Sequence, residues 1–275
     1  MLGYQCYRCK SCRRRFNERT ETPFNFLEAP TDVVLLVVRW RLRYKLSLRD
    51  LAEMFLDRGI TFTHETVRQW ETKFAPLITE VLRKKRRGKV GESWYVDETY
   101  IRVFGRWCYL YRAIDRDGNL VDCRFSEERD MNAAKAFFRE SKEITGVTPD
   151  RVTTDGHDSY PRAITEELGV TVTHRTNKYL NNLIEQDHRG IKSRYRPMKG
   201  FGTPESAARF CPAFDEQRNY YRPVSRGGKA SLADRRRTHR VRTAQLTMWL
   251  APHAIGSPKI PLWTVERFAP RCHAA

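Results

Sequence analysis

Between positions 94 and 127, hydrophobic residues alternate with polar ones, and this period of two residues is typical of β-strands. The stretch WYVDETYIR opens the region and places Asp97 in mid-strand, on a face shared with aromatic and β-branched side chains. Two further strands are predicted over 107–115 and 120–127, and the sequence Asp-Gly-Asn between them is typical of a hairpin turn. The pattern therefore predicts an antiparallel meander with a carboxylate on a packed face.

After position 127, short apolar strands alternate with segments of helical period. Strands and helices that alternate after a meander build a mixed sheet with helices on its faces, so the predicted class of this part is α/β. The predicted elements are helices over 131–143, 159–168 and 180–196 and from Thr203 onwards, and strands over 151–155 and 170–174.

The N-terminal third has a helical period instead. A first helix is predicted over 31–43, and Ser47 and Thr63 are suitable N-caps for two amphipathic helices that follow. Two such helices joined by a short turn resemble a helix-turn-helix over residues 30–82, and an ordinary three-helix bundle is the alternative. On the helix-turn-helix interpretation, the side chains that contact DNA are His64, Arg68, Gln69 and Lys73.

The charge balance of the chain favours a polyanionic partner. Lys and Arg number 51 against 33 Asp and Glu, which gives a formal net charge of +18 and a pI near 9.9. Such an excess is typical of nucleic-acid binding and exceeds what solubility requires. No apolar run approaches the length of a membrane span, and the first residues lack the apolar core of a secretory signal. We therefore expect a cytoplasmic, nucleoid-associated protein that acts on DNA.

Three of the seven cysteines crowd the N-terminus. Cys6, Cys9 and Cys12 are separated by two residues each, a spacing at which neighbouring thiolates can bind one metal ion. A structural zinc site needs four ligands, and a second ligand pair does not follow at the usual distance. Residues 1–22 are therefore interpreted as a partial zinc-ribbon-like segment, with free thiols as the alternative.

Two basic segments border the α/β part. Residues 83–93, RKKRRGKVGES, are predicted to be a linker that either lies along DNA phosphates or is a solvated tether. Residues 223–275 form a basic C-terminal tail with little hydrophobic pattern, for which we predict no function.

Three acidic residues stand where a metal site needs them. Asp97 is in mid-strand, Asp155 ends a short strand before Gly156, and Glu185 lies in the first turns of the 180–196 helix. Hard carboxylate oxygens suit Mg²⁺ or Mn²⁺, and two such ions favour in-line phosphoryl transfer. Each acid alone also fits an ordinary role, as a hydrogen-bonded strand residue, a turn former or a helix ion pair, and Asp158 competes with Asp155.

Basic residues share the predicted helix with Glu185. His188, Arg189, Lys192 and Arg196 follow it at spacings that place them on a face adjacent to the buried stripe. One helix face would thus carry a metal-binding carboxylate and cations for the flanking phosphates. The predicted DNA contacts on this helix are His188, Arg189 and Lys192.

In combination, WYVDETYIRVFGRWCYLYRAID, TTDGHDSY and NNLIEQDHRGIK resemble the catalytic core of bacterial insertion-sequence transposases of the IS-six group. The resemblance covers roughly residues 30–222. It implies a ribonuclease-H-like fold over 94–222, in which Asp97, Asp155 and Glu185 form the DDE triad that holds two Mg²⁺ or Mn²⁺ ions. It also implies that Lys192 matches a basic position placed against donor DNA.

The resemblance implies a DNA transposase that binds terminal inverted repeats, cleaves a strand and joins the freed 3′-OH to target DNA. Because two DNA ends must be brought together, at least a homodimer on DNA is expected. Two alternatives stay open from the sequence: a regulatory DNA-binding protein without catalysis, derived from a transposase, and a structure-specific nuclease on the same fold.

Overall fold

The computed structural model describes residues 5–176, 182–223 and 231–251. The chain divides into two compact units, one made of Met1–Val37 with Lys229–Ala275 and the other of Val38–Gly228. Helix α1 (Thr31–Arg43) runs across the division between them. In the described residues, no helix is both long and apolar enough to span a membrane.

The first unit contains a small N-terminal hairpin, in which β1 (Tyr7–Arg8) pairs antiparallel with β2 (Arg15–Phe16). Cys6 is exposed, while Cys9 and Cys12 are half-buried. The three cysteines do not converge as a ligand set, because no group of three Cys, His, Asp or Glu side chains in the described ranges is placed to hold a metal ion. The zinc interpretation of residues 1–22 therefore stays a prediction.

The region predicted to be a helix-turn-helix has the predicted N-caps. Ser47 and Asp50 form a reciprocal capping box at the start of α2 (Leu48–Leu56), and Thr63 caps α3 (His64–Arg86). Helix α3 is 23 residues long and extends through Arg86, so the predicted 83–93 linker is wrong over its first part. In place of a tether, the basic end of α3 is a packed helix.

Two ion pairs explain why the basic end of α3 is packed. Arg83 Nη2 lies 2.8 Å from Asp122 Oδ1, and Arg86 Nη2 lies 2.7 Å from Glu216 Oε1. Both acids are buried, so their charges require these partners. The sequence predicts a linker here, either along DNA phosphates or solvated, because the acidic partners of these arginines are distant along the chain.

A five-stranded mixed sheet forms the centre of the second unit, in the order β5-β4-β3-β6-β7. Strands β3, β4 and β5 form the predicted antiparallel meander, and β6 and β7 run parallel to β3. The strands are β3 (Ser93–Val103), β4 (Arg106–Asp115), β5 (Leu120–Ser126), β6 (Arg151–Thr154) and β7 (Thr173–Thr176). The remaining helices of this unit are α4 (Met131–Thr145), α5 (Ser159–Glu167), α6 (Asn182–Tyr195) and α7 (Pro204–Tyr220).

The two faces of this sheet carry different helices. Trp94 and Val96 of β3 belong to a hydrophobic core with Phe137 and Phe138 of α4 and Tyr160 of α5. Because side chains alternate along a strand, Asp97 points to the opposite face, where α6 packs. The prediction that Asp97 lies on a packed face is therefore confirmed.

The C-terminal basic segment contains a helix that the sequence pattern did not predict. Helix α8 (Leu232–Leu250) begins at Ser231, whose hydroxyl accepts a hydrogen bond from the Asp234 backbone N–H. Only Leu246 of this helix is buried, so it has almost no apolar stripe for a periodicity search to find. The N-cap residue Ser231 is the sequence feature from which the start of this helix could have been predicted.

Candidate active site

Parallel pairing of β3 and β6 brings the first two predicted acids to the same level. Tyr95 pairs with Thr153, and two residues further along each strand lie Asp97 and Asp155. The Asp97 side chain is 15% exposed, whereas that of Asp155 is 39% exposed at the carboxyl end of β6. The sequence prediction of Asp155 at a sheet edge agrees with this position.

Helix α6 brings the third acid to the same face of the sheet. Its buried residues Ile184 and Ile191 anchor the helix, and Glu185 is exposed beside them. The His188 ring is buried on the same helix, with Nδ1 3.6 Å from Asp97 Oδ2. Helix α6 thus joins the neighbourhood of Glu185 to Asp97.

The position of His188 corrects one prediction. We predicted a DNA contact for His188, but it is 3% exposed and packs against Asp97. The buried stripe of α6 runs through Ile184, His188, Ile191 and Tyr195, at steps of four, three and four residues, and it therefore includes the histidine. Arg189 is exposed and Lys192 is half-buried.

The electrostatic state of Asp97 shows that acidic groups surround it. Burial raises the pKa of Asp97 to about 7, and the charges of Glu98 and Asp155 add to this effect. Glu185 contributes a smaller effect of the same sign. A carboxyl group with such a pKa is destabilised in its charged form, so a nearby cation would be favourable.

The three acids are close enough to interact electrostatically, yet they are not gathered into one ligand cluster. Across the described part of the chain, no three acidic, His or Cys side chains are near enough to share a metal ion. Asp155 and Glu185 are both exposed. Asp155 Oδ1 accepts a hydrogen bond from the His157 N–H at 3.2 Å, and Asp155 Oδ2 lies 3.8 Å from Arg129 Nη2.

His188 is uncharged at neutral pH. Burial lowers its pKa to about 2, and the charges of Arg112 and Lys192 act in the same direction. The imidazole thus packs against Asp97 as a neutral group. The effect of Lys192 also shows that this lysine lies within electrostatic range of the Asp97 neighbourhood.

Glu98, the residue after Asp97, organises a second acidic position on the other face of β3. It is buried, accepts a hydrogen bond from the Tyr160 hydroxyl and forms an ion pair with Arg129. Arg129 Nη2 also lies 3.8 Å from Asp155 Oδ2. The sequence analysis did not predict a role for Glu98 or Arg129. The position of Glu98 directly after Asp97 was the only sequence feature that indicated the glutamate.

Comparisons with known proteins match the part of the chain that carries these residues. Residues 91–223 match the family described as DDE domain. The chain is 37% identical over 187 residues to the transposase for insertion sequence-like element IS431mec of Staphylococcus aureus, covering 66% of this chain and 83% of the relative. The chain belongs to the IS-six group of DDE transposases.

The chain is also 37% identical over 187 residues to the transposase for insertion sequence element IS257 in transposon Tn4003 of Staphylococcus aureus, with the same coverage of both chains. Among solved structures, the HTLV-2 integrase catalytic core domain in complex with magnesium overlaps at 16% identity and a TM-score of 0.36, covering 56% of this chain and 99% of that one. The family membership and the observed sheet confirm the expected ribonuclease-H-like α/β fold.

A buried ion network holds the Glu185 helix against the transposase sheet. Arg112, the β4 residue that pairs with Asp97, is fully buried and donates to Asp215 at 2.8 and 2.9 Å and to Asp187 at 2.6 Å. Arg218 of α7 donates to Asp187 at 2.6 and 2.8 Å. Since Asp187 lies two residues after Glu185, this network fixes the position of α6.

The charges in this network are matched. Burial alone would raise the pKa of Asp187, but the hydrogen bond from Arg218 and the charge of Arg112 lower it to about 2. Asp187 is therefore an ion-pair partner, and it is not a further candidate metal ligand. The network was not predicted, because its members come from β4, α6 and α7.

The predicted DNA-facing residues of α3 lie on one exposed helix face. His64, Arg68, Gln69 and Lys73 are exposed, whereas Val67, Trp70 and Phe74 of the same helix are buried. Arg68 forms a surface ion pair with Glu65 at 2.9 Å. This arrangement agrees with the predicted amphipathic helix, and the DNA contacts stay predictions.

Proposed function

We propose that this transposase binds the terminal inverted repeats of its insertion sequence, cleaves a DNA strand there and joins the freed 3′-OH to target DNA. The observation that supports this most is the placement of Asp97, Asp155 and Glu185 on β3, after β6 and on α6. The last two acids contribute to the pKa of the first, which is raised to about 7.

The acidic residues fit a divalent ion by their donor chemistry. Carboxylate oxygens are the ligands that Mg²⁺ and Mn²⁺ prefer. The pKa of Asp97 is raised mainly by burial and further by the charges of Glu98 and Asp155, so a cation at this position would be favourable. Asp97, Asp155 and Glu185 would hold the ions. When bound, a pair of such ions activates an attacking oxygen and stabilises the leaving oxygen in phosphoryl transfer.

Basic residues near the acids would orient the DNA phosphates. Arg189 is exposed on α6, and the charge of Lys192 reaches His188, which touches Asp97. These two side chains would bind phosphates on either side of the reacting bond. Arg129, which bridges Glu98 and Asp155, keeps the second acid close to β3.

Strand joining is the reaction that tests this proposal directly. The chain should be incubated with a duplex that carries one inverted repeat, taken from the DNA flanking its gene, and with a supercoiled plasmid. We expect covalent joining of the repeat 3′ end to the plasmid in Mg²⁺ or Mn²⁺, and its loss when EDTA removes the ion. Hydrolysis without joining would instead identify a nuclease, and repeat binding without either reaction would identify a regulator.

The exposed face of α3 is proposed to read the repeat sequence. We expect the double variant Arg68→Ala/Gln69→Ala to lose about tenfold of its preference for the repeat over a scrambled duplex, because base-edge contacts carry sequence discrimination. Fluorescence anisotropy at fixed salt measures this ratio.

Lys84→Ala is the matched control for that variant, because Lys84 is an exposed basic residue on the same helix, about three turns beyond the last proposed reading residue. This variant should weaken binding to both duplexes equally, as the loss of a phosphate contact does. An unchanged preference in Arg68→Ala/Gln69→Ala would show that the repeat is read elsewhere.

Two DNA ends must be held together for joining, so we propose that the active form on DNA is at least a homodimer. The chain would act in the cytoplasm, associated with the nucleoid. The net charge of +18 supports this placement on DNA.

A further inference from the structure

The turn and first rungs of the β3–β4 hairpin expose aromatic side chains that fold stability does not explain. Tyr100 is 48% exposed, Trp107 is 59% exposed and Phe104 is 79% exposed. These three residues lie within eight positions of one another on a hairpin that starts at the candidate active site. A cluster of exposed aromatic rings is typical of a binding surface.

The rings form an ordered array with arginine. The ring centroids of Tyr100 and Tyr109 are 5.4 Å apart, and those of Tyr100 and Trp107 are 6.4 Å apart, in an edge-to-face arrangement. The Arg102 guanidinium lies 5.7 Å from the Trp107 ring centroid. We call Tyr100, Arg102, Phe104, Trp107 and Tyr109 the hairpin platform.

Phe104 occupies a backbone conformation that does not suit it. The two residues of the turn, Phe104 and Gly105, have φ of +46° and +78°. Turns with two positive φ values strongly favour Asn-Gly or Asp-Gly, because a side chain with a bulky Cβ substituent is strained there. The Phe104 ring is largely exposed, so burial does not compensate for this strain.

The backbone fixes this turn in place. The Phe104 N–H donates to Phe201 O at 2.8 Å, and the Phe201 N–H donates to Arg102 O at 2.9 Å. At Gly200, a Cβ would lie only 2.7 Å from Arg102 O, so the adjoining segment approaches the hairpin as closely as glycine allows. The platform is therefore preorganised.

The platform lies on the Glu98 face of β3, opposite to the face of Asp97, and Arg129 connects this face to Asp155. Tyr100 and Arg102 follow Glu98 at steps of two residues, and two residues of a strand span about 7 Å. Arg129 contacts Glu98 and reaches to within 3.8 Å of Asp155. The rings thus begin about 7 Å from Glu98, within a few nucleotides of a strand held at Asp155.

We propose that the hairpin platform binds unpaired bases of the DNA strand held at the candidate active site, by stacking them on Tyr100, Phe104 and Trp107. Arg102 supplies positive charge for the phosphates of the same strand. Aromatic rings interleaved with arginine recognise single-stranded DNA without regard to sequence. This inference rests on the proposed strand-transfer function.

The variant Phe104→Asn removes one ring of the platform without destabilising the fold, because Asn is preferred in this turn conformation. We expect its melting temperature to equal or exceed that of the parent chain. We expect about tenfold weaker binding of a repeat duplex that carries a three-nucleotide single-stranded end, since one stacking ring is lost. Binding of the blunt repeat duplex should be unchanged, as measured by anisotropy.

Trp107→Ala should show the same selective loss, and 2-aminopurine placed in the single-stranded end should regain fluorescence in both variants. Phe26→Asn is the matched control, because Phe26 is also an exposed phenylalanine with positive φ, at +62°, far from the hairpin in sequence. Its affinity for both DNAs should equal that of the parent chain.

Equal affinity of the parent, Phe104→Asn and Trp107→Ala chains for the single-stranded end would overturn the platform. So would a loss of self-association without a change in that affinity, because the hairpin would then contact a second copy of the chain. These binding measurements need no strand joining. If the parent chain joins DNA but the platform variants bind the single-stranded end normally, only the platform proposal is refuted. If the parent chain does not join DNA, the proposed function is refuted.

Discussion

Asp97→Asn is expected to abolish strand cleavage and joining, with rates at least about a thousandfold below those of the parent chain, while repeat binding is retained. Asn preserves the shape of the side chain but removes the charge that a divalent ion needs. The variant should also be at least as stable as the parent, because Asp97 is a buried carboxylate crowded by Glu98 and Asp155. Gel assays of cleavage and joining, with melting curves, test both expectations.

A second readout reports on the ion without catalysis. The melting temperature of the parent chain should rise with millimolar Mg²⁺ or Mn²⁺, since a ligand that binds the folded state stabilises it. This rise should be lost in Asp97→Asn and in Glu185→Gln. Retained joining in either variant would contradict the assignment of that residue.

Asp158→Asn is the matched control, because Asp158 was the competing candidate for the second acid. Asp158 is exposed at the start of α5, whereas the Asp155 charge contributes to the pKa of Asp97. We therefore expect near-parental joining from Asp158→Asn and none from Asp155→Asn. The reverse result would move the second acid to position 158.

Local patterns predicted most of the secondary structure for identifiable reasons. The alternation over 94–127 gave the meander, and the Ser47 capping box gave the start of α2, because both depend on residues close together in sequence. The face of Asp97 followed from the same alternation. Features that depend on distant partners were not predictable in this way.

The basic end of α3 and the side chain of His188 illustrate this limit. The sequence pattern assigns Arg83 and Arg86 to a linker, either along DNA phosphates or solvated, because Asp122 and Glu216, which neutralise them, lie far along the chain. His188 was interpreted as a DNA contact because its polarity outweighed its place in the apolar stripe of α6. In both cases a residue type suggested exposure, whereas tertiary pairing determined burial.

Arg112→Met is expected to lower the free energy of unfolding by about 3–5 kcal/mol, the typical effect of removing one member of a buried ion pair. Met approximates the length of the side chain, so the main change is the loss of charge. Asp215, which is 2% exposed, would then lack its cation, whereas Asp187 would keep Arg218. Urea unfolding monitored by circular dichroism measures the difference.

The double variant Arg112→Met/Asp215→Leu identifies the cause of that loss. Replacing both members of a buried pair by apolar residues is often close to neutral, so the double variant should recover most of the lost stability. Arg116→Met, at an exposed position shortly after Arg112, should change stability by less than about 0.5 kcal/mol. A double variant no more stable than Arg112→Met would show that the cost arises from packing around residue 112. Recovery of stability without recovery of strand joining would show instead that the buried charges also position α6, and with it Glu185, for the reaction.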